Sequence, residues 1–182
     1  MKTANEATDA LVKAVGKNLM PHLDKVGRSA VDWVTKEANR KGLSPDLLPY
    51  IWWSLKTKSG LPDLDKPDYN LLFDILHRRR LMPDHSRGFF IPEDLNDEAH
   101  VRDIALGLEK WSRKVMRPML LRGYQQALKS QAAKVPKAME GRVPKGKEMA
   151  FLRMVFAKML TMNSRWFEDG ELLRRVVRSL PV

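Results

Sequence analysis

The stretch LVKAVGKNLMPHLDKVGRSAVDW, residues 11–33, decides the fold of this chain because it carries one long apolar stripe. Apolar side chains recur there at spacings of three and four residues, the repeat of one face of an α-helix. The stripe consists of Leu11, Val15, Leu19, Leu23, Val26, Ala30 and Trp33. Because it keeps its phase across Pro21, we expect one helix with a kink at the proline. Gly42 is placed to end this helix as a left-handed cap.

Helical patterns continue along the rest of the chain. Ser44 followed by Pro45 indicates the start of a second helix, with the serine as its N-cap. Further helical segments are predicted at about residues 68–80, 94–133 and 148–165, with a short last helix after Glu168. In the longest segment the apolar stripe consists of Val101, Ile104, Leu108, Trp111 and Val115.

Two of these segments carry further expectations. Pro118 should kink or break the segment at 94–133, because proline lacks the backbone N–H and its ring crowds the preceding turn. The segment at 148–165 is apolar nearly all round, which indicates a central place in the core or at an interface. Four methionines lie on it, a residue type that suits adaptable packing: Met149, Met154, Met159 and Met162.

The sequence therefore predicts an all-α fold, an irregular bundle of five to seven helices with at most one short β-hairpin. The candidate hairpin is residues 81–92, where two short apolar runs flank a polar turn with Gly88. Residues 134–147 are predicted to form a flexible linker, since they contain Val-Pro-Lys twice together with Gly141 and Gly146.

Charge divides the chain into two parts. Lys and Arg number 33 and Asp and Glu number 22, so the net charge is +11. Residues 1–98 carry 15 basic and 15 acidic side chains, whereas residues 99–182 carry 18 basic and 7 acidic ones. We therefore divide the chain into a charge-neutral helical part, 1–98, and a strongly basic helical part, 99–182.

Composition excludes several classes of protein. Without cysteine, the chain has no disulfide, Cys-ligated zinc site, iron–sulfur cluster or thiol nucleophile. No apolar run approaches the roughly 18–20 residues of a membrane span. The first residues lack the apolar core of a secretory signal. We expect a cytoplasmic location, or one within a virion or other particle made in the cytoplasm.

Motifs for catalysis and cofactors are incomplete. Residues 141–148 have the glycines and the lysine of a phosphate-binding P-loop, but Glu148 stands where a hydroxyl must bind magnesium. No two of the four histidines have the i, i+4 spacing of a helical zinc site. No Gly-x-Ser-x-Gly nucleophile elbow occurs. We expect no enzymatic activity, no cofactor and no metal site.

A run of basic residues is the candidate binding site. Between Lys110 and Lys137 there are eight basic side chains and no acid. A run of like charge repels itself unless an anion lies nearby, which favours a phosphate-binding surface, on nucleic acid or on an anionic membrane. The alternative is a solvated face that keeps the protein soluble. The predicted nucleic-acid-binding residues are Lys110, Arg113, Lys114, Arg117, Lys129, Lys134, Lys137, Arg142, Lys145 and Lys147.

A second basic patch lies at the end of the third helix. It consists of Arg78, Arg79, Arg80 and Arg87. Together with the apolar pattern before it and the Gly88 turn after it, the stretch 69–92 resembles the recognition helix and wing of a winged-helix DNA-binding domain. That resemblance implies a helix in the major groove and a wing on the backbone.

The leading hypothesis is a non-enzymatic structural or accessory protein that contacts DNA or RNA, with other protein subunits, inside a virion or other nucleoprotein particle. One alternative is a sequence-specific DNA-binding regulator that uses residues 69–92. The other is an adaptor whose basic face binds an acidic protein partner.

Overall fold

The computed structural model describes residues 4–57, 66–83, 95–132, 134, 143–162 and 170–180, and all regular structure within these ranges is helical. This confirms the predicted all-α fold. The helices are α1 Ala4–Arg40, α2 Leu48–Thr57, α3 Pro67–Arg78, α4 Leu95–Trp111, α5 Arg117–Ala132, α6 Glu148–Met162 and α7 Gly170–Ser179. A 3₁₀ turn, Pro45–Leu47, precedes α2, and a π-turn, Ser112–Met116, joins α4 to α5.

Two predicted segments fall largely beyond these ranges. Of the hairpin at 81–92, only residues 81–83 are described, and they form no strand. Of the linker at 134–147, residue 134 and residues 143–147 are described.

Helix α1 runs through Pro21 as one element, as the unbroken stripe predicted. Pro21 lies on the exposed side of α1, where water can reach the carbonyl that lacks its N–H partner. The helix ends at Gly42, whose φ of +73° is the left-handed conformation that glycine adopts without strain. The N–H of Gly42 donates to the Asn39 carbonyl and that of Leu43 to the Ala38 carbonyl, both at 3.0 Å. These two bonds form a Schellman cap, which satisfies carbonyls that the helix end leaves open.

Helix α3 ends in the same way, but with an arginine in the left-handed position. Arg80 has φ of +55°, its N–H donates to the His77 carbonyl at 3.2 Å, and the Leu81 N–H donates to the Leu76 carbonyl at 2.9 Å. The Leu81 side chain then packs on α1 at Gly27, where an added Cβ would stand 2.4 Å from its Cδ1. The capping bonds therefore direct the chain back onto α1.

The π-turn bears on two predictions for the longest helical segment. The sequence predicted a kink or a break at Pro118; the segment is not broken there, because one wider turn precedes the proline and the chain then continues as α5. Val115, predicted to lie in the buried stripe, is 41% exposed, and Met116 is fully buried in its place. The extra residue in the π-turn shifts every later side chain by one position relative to a regular α-helix.

The chain forms two compact units, residues 24–117 and residues 1–23 with 118–182. Their boundaries differ from the charge boundary at residue 98, and the division by charge stays a prediction. In the unit 24–117, the core includes the fully buried Trp52 and Tyr69. The Tyr69 hydroxyl donates to the Leu55 carbonyl at 2.6 Å, and burial raises its pKa well above the ordinary value.

The sequence placed Trp33 in the buried stripe of α1, but in this unit Trp33 lies where α1 and α4 approach each other closely. Trp33 is half-buried, while the neighbouring Val34 is fully buried. The indole lies across Gly107, where an added Cβ would stand 2.7 Å from the ring. A glycine at this position thus lets the wide ring lie over the helix backbone.

The other unit contains the start of α1 together with α5, α6 and α7. His22 of α1 lies against Gly123 of α5, and the Asn18 side-chain amide donates to the Ser130 hydroxyl at 2.8 Å. Helices α6 and α7 pack against each other. The apolar side of α7 is buried, as its pattern predicted, and so is the residue that follows the helix: Leu172, Leu173, Val176, Val177 and, after the helix, Leu180.

Helix α6 is less central than its composition suggested. Leu152 and Phe156 are buried, but Met154 is 57% exposed. Apolar residues lie on every side of α6, but among the described residues only the side with Leu152 and Phe156 is buried. Of the two predicted places for α6, the core holds Leu152 and Phe156, while the exposed Met154 leaves the interface alternative a prediction.

Candidate nucleic-acid interface

The predicted basic run is divided between the two compact units. Lys110, Arg113, Lys114 and Arg117 belong to the unit 24–117, whereas all later residues of the set belong to the other.

In the first group, the two arginines are paired with carboxylates. Arg113 Nε lies 2.8 Å from Glu109 Oε1, one turn earlier on the same helix. Arg117 Nη1 lies 3.7 Å from Asp68 Oδ1 of α3. The run contains no acid between Lys110 and Lys137, but Glu109 directly precedes it in the sequence and Asp68 contacts it from α3. These pairs reduce the charge that the arginines offer to an outside anion.

The two lysines of this group can offer their charge to an external anion. Lys110 and Lys114 are exposed, and neither has a carboxylate partner within the described ranges. The π-turn also presents Arg113, Lys114 and Val115 to solvent as three consecutive exposed residues. Such turns occur frequently at functional sites.

In the other unit, α5 has a polar face that contains no acid. Its sequence from Arg117 to Ala132 includes no Asp or Glu. Four exposed side chains share one face at spacings i, i+3, i+4 and i+7: Arg122, Gln125, Gln126 and Lys129. We call this set the α5 row. Of its members only Lys129 was predicted to bind, although the helical spacing itself marks the other three.

The remaining predicted residues of this unit follow α5. Lys134 is exposed in a turn, and Lys145 and Lys147 are exposed around the turn before α6. Gly146 in that turn has φ of +84°, and the Lys147 N–H donates to the Pro144 carbonyl at 3.0 Å. Lys137 and Arg142 lie outside the described residues.

A buried tyrosine lies beneath the polar face of α5. Tyr124 is fully buried, and its ring lies 5.8 Å from that of Phe156 on α6. Burial raises the pKa of Tyr124 to about 12, and the positive charge of Arg153 opposes this rise. Among the described residues its hydroxyl has no hydrogen-bond partner.

The net charge is concentrated in this second unit. Residues 1–23 and 118–182 contain 16 basic and 7 acidic side chains, a net charge of +9. Residues 24–117 contain 17 basic and 15 acidic side chains, a net charge of +2. Nearly all of the chain's positive excess therefore belongs to the unit that contains the α5 row.

The second basic patch is largely engaged within the fold. Arg78 Nε lies 3.1 Å from Asp74 Oδ1, and Arg79 forms two bonds to the Asp24 carboxylate, at 2.8 and 3.2 Å. Arg80 is exposed at the cap of α3. Arg87 and the rest of the wing of the winged-helix resemblance lie outside the described residues.

Within the described ranges, no group of three or more His, Asp or Glu side chains is placed to hold a metal ion. None of the helices there combines the length and the apolarity that crossing a membrane requires. Comparison with known protein families, with curated proteins and with solved structures finds no match for this chain.

Proposed function

We propose that this protein binds nucleic acid through its basic residues as a non-enzymatic component of a nucleoprotein particle, in the cytoplasm or in a virion. The observation that carries the proposal is the net charge of +9 in one unit, together with a helix in that unit whose exposed face has no acid. Nucleic acid supplies a dense array of phosphates, the kind of ligand that such a surface attracts.

A contact with other protein subunits is part of the proposal. Met154 is the most exposed of the large apolar side chains within the described ranges. An exposed methionine adapts its shape to an opposing apolar surface, as subunit interfaces require.

The test is a binding titration of the full-length chain with fluorescently labelled nucleic acid of mixed sequence. If about five phosphates are neutralised, log affinity against log salt concentration has a slope of about −4 to −5. Unrelated sequences of equal length and strandedness should bind with equal affinity, because phosphate contacts carry no sequence information.

Other results would overturn the proposal. A chain that binds no nucleic acid at 50 mM salt is not a nucleic-acid-binding protein, and one that binds an acidic protein instead is the adaptor. A strong preference for one sequence, lost on changing Arg78 and Arg79, would identify the regulator.

A further inference from the structure

We infer that the α5 row, Arg122, Gln125, Gln126 and Lys129, is a contact site for the phosphate backbone of a double-stranded nucleic acid. This inference rests on the proposed function and names the site and the class of ligand. It places the contact on the α5 row rather than on the first four residues of the predicted set, Lys110, Arg113, Lys114 and Arg117.

The charges of the row favour an external anion. Arg122 and Lys129 are exposed, and within the described ranges neither has a carboxylate partner. By contrast, Arg113 and Arg117 already have carboxylates at 2.8 and 3.7 Å. A cation without an internal partner gains more from a phosphate than one that must share its charge with a neighbouring carboxylate.

The spacing of the two cations fits a double helix. Seven residues separate them, so they lie about 10.5 Å apart along the axis of α5 at about 1.5 Å per residue. The major groove of B-form DNA is about 12 Å wide, with phosphates along both of its edges. Arg122 and Lys129 can therefore reach phosphates of opposite strands.

The two glutamines lie between the cations along the helix axis. Gln125 and Gln126 fall on either side of the line that joins Arg122 and Lys129, counting about 100° per residue. Their neutral amides can donate to phosphate or sugar oxygens without releasing counterions. The row thus combines charged contacts at its ends with neutral hydrogen-bond donors at its middle.

Among the residues that the structure describes, no aromatic side chain is exposed, which argues against a single strand as the ligand. Proteins that bind single strands stack bases on exposed aromatic side chains. Tyr124, the one aromatic residue of α5, is fully buried. Within the described ranges the exposed large apolar residues are Leu106, Val115 and Met154, none of them aromatic.

The experiment measures binding of the full-length chain to a 20-base-pair DNA duplex, to an RNA duplex of the same sequence and to the single DNA strand. The test variant is Arg122→Gln with Lys129→Gln. The matched control is Lys25→Gln with Arg28→Gln, which removes two exposed cations from the other unit. Circular dichroism of every variant checks that the helices are intact.

We expect the test variant to bind duplex with on the order of tenfold lower affinity at 0.1 M salt, and its salt slope to be smaller by about 2. The control should match the wild type. Gln125→Ala with Gln126→Ala should lower the affinity and leave the slope unchanged. The wild type should bind duplex more tightly than single strand, and the DNA and RNA arms identify which duplex is preferred.

Three outcomes would overturn the inference. If the wild type binds duplex and the test variant equals the control, the α5 row is not the site although the proposed function stands. If the wild type prefers the single strand, the class of ligand is wrong. If no nucleic acid binds at all, the proposed function itself fails.

Discussion

The backbone N–H of Arg117 donates to the carbonyl oxygen of Ser112, five residues earlier rather than the usual four. Pro118 follows immediately, and in a regular α-helix its ring would crowd the carbonyl of Lys114. The wider turn makes room for the proline and shifts the buried face by one residue. That shift exposes Val115 and buries Met116.

Deletion of Val115 tests this coupling between the π-turn and the proline. The deletion removes the extra residue, so the turn can close as a regular α-helix, but Pro118 then falls in a helix interior. We expect the deletion variant to gain about 3 kcal/mol in free energy of unfolding when Pro118→Ala is added. Pro118→Ala alone should change the stability by less than about 1 kcal/mol. Chemical denaturation measures all four proteins, and equal effects of Pro118→Ala in both backgrounds would contradict the coupling.

The cap of α3 predicts a stabilising substitution. Arg80 holds φ of +55°, a conformation that costs an L-residue about 1 kcal/mol. Arg80→Gly should therefore raise the free energy of unfolding by about 0.5–1 kcal/mol. The reciprocal change, Gly42→Ala at φ of +73°, should lower it by a similar amount. Urea denaturation compares the two, and a loss of stability in Arg80→Gly would show that its side chain, not its backbone, matters at this cap.

The ion pair between Arg79 and Asp24 predicts a structural role for this arginine. The two side chains are 24% and 30% exposed, so solvent screens the pair in part. A double-mutant cycle with Arg79→Gln and Asp24→Asn should give a coupling energy of about 1 kcal/mol. Arg79→Gln should leave the affinity for nucleic acid unchanged. A variant of full stability and weakened binding would instead place Arg79 at the ligand.

The buried tyrosine predicts a loss of stability at high pH. Burial raises the pKa of Tyr124 to about 12, whereas an exposed tyrosine in the unfolded chain titrates near 10. Below pH 10 both states hold the proton and the stability does not change. Between about pH 10 and 12 the unfolded chain loses its proton first, so the stability falls.

The variant Tyr124→Phe isolates this effect. Removing the hydroxyl should flatten the fall in the free energy of unfolding between pH 10 and 12. At pH 7 the change should cost less than Tyr69→Phe, which breaks the hydrogen bond to the Leu55 carbonyl, worth about 1 kcal/mol. Denaturation at a series of pH values measures both. An unchanged pH profile in Tyr124→Phe would assign the alkaline loss to other groups.

The sequence by itself determined the helices whose signals are local. The apolar stripe of α1 from Val15 to Ala30, the Gly42 cap, the Ser44 cap and the buried side of α7 agree with the structure. Each depends on the repeat of the α-helix, on the backbone freedom of one glycine or on the side-chain oxygen of one serine, and all three can be recognised from neighbouring positions.

Only the tertiary structure decided which basic side chains remain open to a ligand. Asp24 lies 55 residues from Arg79 along the chain, and Asp68 reaches Arg117 from another helix. A sequence gives the sign and the local spacing of charges, but folding decides which distant carboxylate comes within a few ångströms of a given arginine or lysine. The tertiary structure also decided the π-turn, whose one added residue places Met116 rather than Val115 on the buried face. For this reason the acid-free run at 110–137 and the helical spacing of the α5 row could be recognised from the sequence, while the fold decided that the row is exposed and that Arg113 and Arg117 are paired.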